Sequence, residues 1–132
     1  MWKRVIKPQT QLRPKGKGVA IRKGGMALYS AFVRAQHLEH VKYMNIYVDD
    51  PSNPKRIAFE VAAVPDSSSY QVSKTTSENS AYRTVSCCKM LQHYSLSDYY
   101  GKEYLPKREG SMWVITLNNP IRDIDESRSP ER

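Results

Sequence analysis

A chain of 132 residues with 21 Lys and Arg against 13 Asp and Glu, a formal net charge of +8, can bury one ordinary core but has little room left for an enzyme cleft. No stretch is apolar over the roughly 20 residues that span a bilayer, and Met1-Trp2-Lys3-Arg4 is not followed by the apolar run of a secretory signal, so a cytoplasmic protein with no membrane partner is expected. Cys87 and Cys88 are the only cysteines; their adjacency disfavours a mutual disulfide and fits a reducing compartment.

Residues 1–17 read as a flexible arm, because Pro8, Pro14 and Gly16 interrupt any helical or strand period. The arm opens a run of uniform charge. From Met1 to Leu38 there are nine basic residues (Lys3, Arg4, Lys7, Arg13, Lys15, Lys17, Arg22, Lys23, Arg34) and no acidic one, whereas the rest of the chain has twelve basic against thirteen acidic. Such segregation is the electrostatic footprint expected for a polyanion partner, of which nucleic acid is the commonest. The globular part is expected over 18–121. Val19 and Ile21 alternate with Ala20 and Arg22, Lys23-Gly24-Gly25 supplies a tight turn, and Met26 to Tyr29 resumes as a strand. Ser30 has the chemistry of an N-cap, and Ala31, Phe32, Ala35 and Leu38 mark the apolar stripe of a helix over about 31–40. Tyr43–Val48 alternates again, Asp50-Pro51-Ser52-Asn53-Pro54 turns the chain, and Arg56–Val61 returns with Ile57, Phe59 and Val61 inward.

Residues 64–80 are rich in Ser, Thr, Pro and Asp and read as a long loop with a weak strand at Tyr70-Gln71-Val72. Beyond it the pattern recurs: a strand over Tyr82–Val85, Ser86 as N-cap, a helix over Cys87–Tyr94, a turn at Lys107-Arg108-Glu109-Gly110 and a buried strand over Met112–Leu117. Sliding the chain by 56 positions sets Ser30 on Ser86, Gln36 on Gln92, His37 on His93 and Tyr43 on Tyr99. It also sets Ile57, Phe59 and Val61 on Trp113, Ile115 and Leu117. The expected fold is therefore mainly β (α+β), an antiparallel sheet or small barrel with two short helices. Two ββαββ-like units, 18–61 and 70–117, would be fused as an internal pseudo-dimer. Residues 122–132 mix charge with Ser-Pro and read as a disordered tail.

Val19–Asp50 with the return strand Arg56–Val61 resembles the half-domain of AbrB-type swapped-hairpin transcription factors. The shared parts are a strand, a Gly turn at Lys23-Gly24-Gly25, a second strand, the short helix bearing Arg34, and the strand Asn45–Val48 ending in Asp49-Asp50. The resemblance implies that two half-units interleave their hairpins into one barrel and that Arg22 and Arg34 take part in gripping DNA. Met26 and Ser30 stand where that family places Arg after the turn and Pro before the helix.

Other constellations point elsewhere. His37 and His40 with Glu39 read as a solvated helix face, since zinc needs more ligands. Cys87 and Cys88 beside Ser86 suggest a nucleophile at a helix start, but the repeat sets them on Ala31 and Phe32, as small core residues. Asp49, Asp50 and Glu60 suggest a metal-dependent nuclease and read better as turn formers. No enzyme activity and no cofactor or metal are expected. The expected function is non-enzymatic nucleic-acid binding, DNA before RNA, through phosphate contacts from Arg13, Lys15, Lys17, Arg22, Lys23 and Arg34. The alternative is a protein-binding inhibitor or assembly factor of the kind phages encode, docking its arm on an acidic protein and using Tyr94, Tyr99, Tyr100 and Tyr104 as hot spots. Either would be a monomer, by virtue of the internal pairing, or a homodimer.

Overall fold

The period-2 pattern of Val19–Leu28 forms the hairpin it predicts: β1 (Val19–Arg22) pairs antiparallel with β2 (Gly25–Leu28), Arg22 opposite Gly25 across the Lys23-Gly24 turn. In the computed structural model, which describes residues 2–4, 16–74 and 80–124, a short helix α1 (Ser30–Ala35) follows. It leads into β3 (Tyr43–Val48) and β4 (Arg56–Val61). Then come β5 (Tyr70–Lys74), β6 (Arg83–Val85), α2 (Cys88–His93) and a single 3-10 turn at Ser97–Tyr99. The chain continues as β7 (Lys102–Tyr104), β8 (Lys107–Glu109), β9 (Met112–Thr116) and β10 (Arg122–Asp123). The described strands form one antiparallel sheet in the order β10-β7-β1-β2-β6-β5-β3-β4-β9-β8, curled into a half-barrel.

That order is an exchange of strands between the two halves of the chain. β3 of the first half pairs with β5 of the second, and β7 of the second pairs with β1 of the first. If β1, β2 and β3 are swapped with β5, β6 and β7, the run β7-β1-β2-β6-β5-β3 becomes itself read backwards. β2 meets its counterpart β6 around Ala27 and Thr84, and β4 meets β9 around Ala58 and Val114. β5, in sequence only a weak strand within a loop, is thus central to the sheet. β8, which reads as a turn in the sequence, pairs with β9, and Leu105-Pro106 alone separates it from β7 at the other end of the row. A proline has no N–H for a ladder, so the strand breaks there and each piece serves a different neighbour.

The two helices repeat at 58 positions rather than at 56. Val33 N–H donates to the Tyr29 carbonyl, His37 N–H to Arg34 and Leu38 N–H to Val33; Leu91, Ser95 and Leu96 make the same bonds to Cys87, Gln92 and Leu91. Both helices stop at a non-glycine residue in the left-handed region, His37 and Ser95, each with φ 57°. This is the Schellman pattern, in which the apolar residue after the stop packs on the last turn, Leu38 by Val33 and Leu96 by Leu91. The early stop ends α1 well short of the expected residue 40. Ser30 and Ser86 do not cap: the caps are Tyr29 and Cys87, neither with a side-chain bond. Ala31 and Ala35 are exposed, and the buried stripe is Phe32, Val33 and Leu38.

The main core lies inside the curl. Val19, Ile21, Met26 and Leu28 meet Ile57, Phe59, Trp113 and Ile115 there under α1 and α2. Phe59 lies opposite Trp113 in the ladder with rings stacked at 5.8 Å, and Phe32 of α1 sits edge-on to both. Trp113 donates Nε1–H to Gln36, and the Arg108 guanidinium covers its ring at 4.3 Å. Val61, expected inward, is 40% exposed, whereas its repeat partner Leu117 is buried. Arg83 ties the halves together. Buried in β6, it donates to the carbonyls of Ser80, Tyr82 and, across 44 positions, Glu39.

Gly25 is needed where it stands. At φ +148° a Cβ would lie 2.0 Å from the Val85 carbonyl oxygen and 2.9 Å from the Cys87 nitrogen, both backbone. Gly25→Ala must therefore part β2 from β6, and a loss of at least about 3 kcal/mol in chemical denaturation is expected. Gly24→Ala, whose Cβ would meet nothing within 4 Å, should stay within about 1 kcal/mol of the parent.

Candidate nucleic-acid interface

Alternation sends the odd-placed residues of β1 and the even-placed residues of β2 into the main core, and their neighbours to the outer face of the curl. On that outer face Ala20, Ala27, Tyr29 and Tyr82 form a second, small core with Ile124 packed against it. Gly16 lies directly on the Tyr29 ring, where a Cβ would come within 2.2 Å of it, and the Tyr29 and Tyr82 rings sit 6.2 Å apart.

Glu103 organises this face. It lies beside Ala20 in the β7–β1 ladder and is fully buried. One carboxylate oxygen accepts the backbone N–H groups of Lys17 (2.7 Å) and Gly18 (3.0 Å), and the other takes the Nε–H of Arg122. Arg122 belongs to β10, so strand pairing extends to Asp123, beyond the expected limit of the globular part at residue 121. The backbone at Lys17-Gly18 and β10 are therefore held by one side chain.

Three of the basic residues singled out from sequence belong to this side of the molecule. Lys17 is exposed where the chain enters, Arg22 is half-exposed at the end of β1, and Lys23 is exposed on the turn. Arg34 is exposed on α1, but α1 packs its Phe32 and Val33 into the main core, on the opposite face of the hairpin. Arg13 and Lys15 lie outside the described residues, as do the remainder of the arm over 5–15 and the tail over 125–132.

Beside Arg22 and the turn there is a cleft of about 250 Å³, lined by Arg22, Gly24, Gly25, Tyr82, Thr84 and Ser86 together with Met26, Ala27 and Val85. Its floor is low because Arg22 stands opposite Gly25 and Ala27 opposite Thr84 in the ladders. Sequence reading missed Thr84, Ser86 and Glu103. Only the pairing of β2 with β6 and of β1 with β7 brings them to the hairpin, and no local pattern encodes that pairing.

The remaining sequence candidates are accounted for by local structure. Burial pushes the Cys87 thiol up to about 12, so it is a protonated core group at neutral pH rather than a nucleophile. Asp49 accepts the backbone N–H groups of Arg56 and Lys55, which hold its carboxyl below the usual range, and Asp50 is likewise lowered by Ser52. Glu60 accepts Tyr47 Oη–H at 2.6 Å and Ser111 Oγ–H at 2.9 Å. Among the described residues no three His, Cys, Asp or Glu side chains converge as a metal site would need. Tyr104, expected as an interface residue, is 1% exposed and donates its hydroxyl to the Leu117 carbonyl in the core. Tyr94, Tyr99 and Tyr100 are half-buried against that core. No described helix is long and apolar enough to cross a membrane.

Comparison with known proteins finds no matching family model, no matching curated protein and no matching solved structure.

Proposed function

We propose that this is a non-enzymatic nucleic-acid-binding protein that grips phosphates with its basic arm and the basic turn end of the β1–β2 hairpin. The observation that carries the reading is the unbroken positive run of the first 38 residues, whose members Lys17, Arg22 and Lys23 belong to the side from which the arm departs. Glu103, the carboxylate that holds Lys17-Gly18, is buried and turned to backbone N–H groups and Arg122 rather than to the basic side chains at the surface. The AbrB-type resemblance adds support: strand exchange, which that family obtains by pairing two chains, occurs here between halves of one chain. Arg34 then contributes to overall attraction from another face.

Duplex DNA is expected to bind with steep salt dependence. If six basic residues engage phosphates, affinity should fall on the order of a thousandfold between about 50 and 200 mM salt. Fluorescence anisotropy over that range checks this, and a flat response rules the phosphate model out. A protein partner docking on Tyr94, Tyr99 and Tyr100 is the second reading, favoured by their partial exposure and by the recess that Tyr94 and Tyr99 line together with His93, whose ring lies 4.8 Å from that of Tyr94. Pull-down with and without nuclease separates the two, since a stoichiometric protein that survives nuclease supports the second.

A further inference from the structure

The alternation that sends Ile57, Phe59, Trp113 and Ile115 into the core sends their neighbours on β4 and β9 to the outer face. One ladder row there runs Tyr47, Ala58, Val114 and Lys107, and the next runs Asn45, Glu60, Met112 and Glu109. Ala58 is the smallest side chain of the first row, so the sheet is low between Tyr47 and Val114 and carries a groove of about 370 Å³. Tyr47 is 40% exposed, and Ala58, Met112 and Val114 are half-buried, which leaves an apolar floor in reach of solvent. The Tyr47 wall is held by its hydroxyl, donated to Glu60. Asp49 and Glu109 line the groove, and Glu60 and Asp66 act on Tyr47 from beside it. Against these four carboxylates the described residues of the same face bring Arg56, drawn to Asp49 at 3.7 Å, and Lys107.

An apolar floor with an acidic rim suits a segment that joins a large apolar side chain to bases, and this chain carries one. Trp2 is fully exposed, with Lys3 and Arg4 exposed beside it. An indole is among the largest apolar surfaces that one side chain can bury, and a groove of this volume with an apolar and aromatic lining is of the kind that takes such a ring. We propose that Trp2-Lys3-Arg4 docks on this groove of its own chain, the indole over Ala58 between Tyr47 and Val114 and the two bases toward Glu60 and Glu109. The chain is long enough. Gly16 lies on the Tyr29 ring of the outer face, just beyond β2, and β4 is four places from β2 in the sheet, roughly 20 Å at one strand spacing per place. From Arg4 to Gly16 the extended chain reaches roughly 40 Å. The structure, with Trp2 in solvent, is the undocked arrangement. In the docked one the protein's own carboxylates neutralise Lys3 and Arg4, so the groove competes with phosphates for the arm. The docking stands on the groove and the Trp-Lys-Arg segment alone, whereas the competition rests on the nucleic-acid reading.

The test uses the full chain, whose two tryptophans, Trp2 and Trp113, give separate indole signals in magnetic resonance spectra. Nuclear Overhauser contacts are expected from the Trp2 indole to the Ala58, Met112 and Val114 methyl groups, and they should persist through a dilution series. Trp2→Ala should shift the Tyr47, Ala58 and Val114 amides. Tyr47→Ser removes a groove wall without touching the arm or the net charge, and it should abolish the indole contacts. A short DNA duplex is the second probe. Freeing an arm that is docked about two-thirds of the time tightens its binding about threefold, so Tyr47→Ser should bind the duplex about threefold better than the parent. If the contacts are present and the duplex does not bind, the docking stands and the nucleic-acid reading fails. If the contacts are present and Tyr47→Ser binds the duplex as the parent does, the competition is overturned. If the Trp2 indole makes no contact with the groove methyl groups and Trp2→Ala leaves the three amides in place, the docking itself is overturned. Contacts that fade on dilution belong to a second copy and overturn it too. Trp2 lies outside every strand and is fully exposed, so Trp2→Ala decides the docking even where Tyr47→Ser does not fold.

Discussion

A chain ending at Val64 is expected not to persist as a folded monomer. It retains β1 to β4, yet all four lose a neighbour: β1 loses β7, β2 loses β6, β3 loses β5 and β4 loses β9. Phe59 would be stripped of Trp113, with which it stacks, and Ile57 of Ile115. A unit of some 45 ordered residues already buries too little surface to be stable alone, and one in which every strand has an open edge pairs with whatever strand is at hand. Sedimentation should therefore show dimers or larger assemblies for the N-terminal half and a monomer for the full chain. Co-expressing residues 65–132 should return the half to a one-to-one complex. A stable, folded, monomeric N-terminal half would overturn the strand-exchange account, since the missing strands supply partners to all four that remain.

Glu103→Ala is expected to be the most damaging single substitution of a polar side chain. It removes a fully buried carboxylate and strands the N–H groups of Lys17 and Gly18 together with the guanidinium of Arg122. Breaking a buried pair by deleting one partner costs roughly 3–5 kcal/mol, because the remaining charge is left without compensation. In a domain of this size that is a fall of roughly 10–20 °C in thermal midpoint. Glu103→Gln keeps the volume but turns an amide N–H₂ toward donors, so it should recover only part of the loss. Hydrogen exchange gives the sharper reading. The Lys17 and Gly18 amides should lose protection in both variants, and Arg122→Ala should loosen β10 while leaving those two amides largely protected. Should Glu103→Ala melt within about 3 °C of the parent, the carboxylate does not hold Lys17-Gly18 and β10 in place.

The local elements were readable because short-range chemistry specifies them. Alternation marks β1 to β4 and β9, Lys23-Gly24-Gly25 marks the turn, and the apolar spacing marks both helices, since side-chain period and turn chemistry act within a few residues. The charge of the first 38 residues and the placement of Lys17, Lys23 and Arg34 on the surface also follow from composition, because charge is costly to bury. What the chain order does not display is which strand neighbours which. Exchange of strands between halves decided that β5, a weak strand among polar residues, sits mid-sheet, and that Lys107-Arg108-Glu109 pairs instead of turning. It likewise sent Tyr104 into the core while leaving Val61 at 40% exposure. The stop of each helix at His37 and Ser95 shifted the repeat by two positions, a choice made by the packing of Leu38 and Leu96 rather than by any glycine. The same long-range pairing sets Ser86 and Thr84 beside Arg22 and Glu103 beside Gly18. Contacts between residues some sixty to eighty-five positions apart are fixed by burial of a shared core, a free energy that belongs to the assembled sheet and to no single segment of the chain.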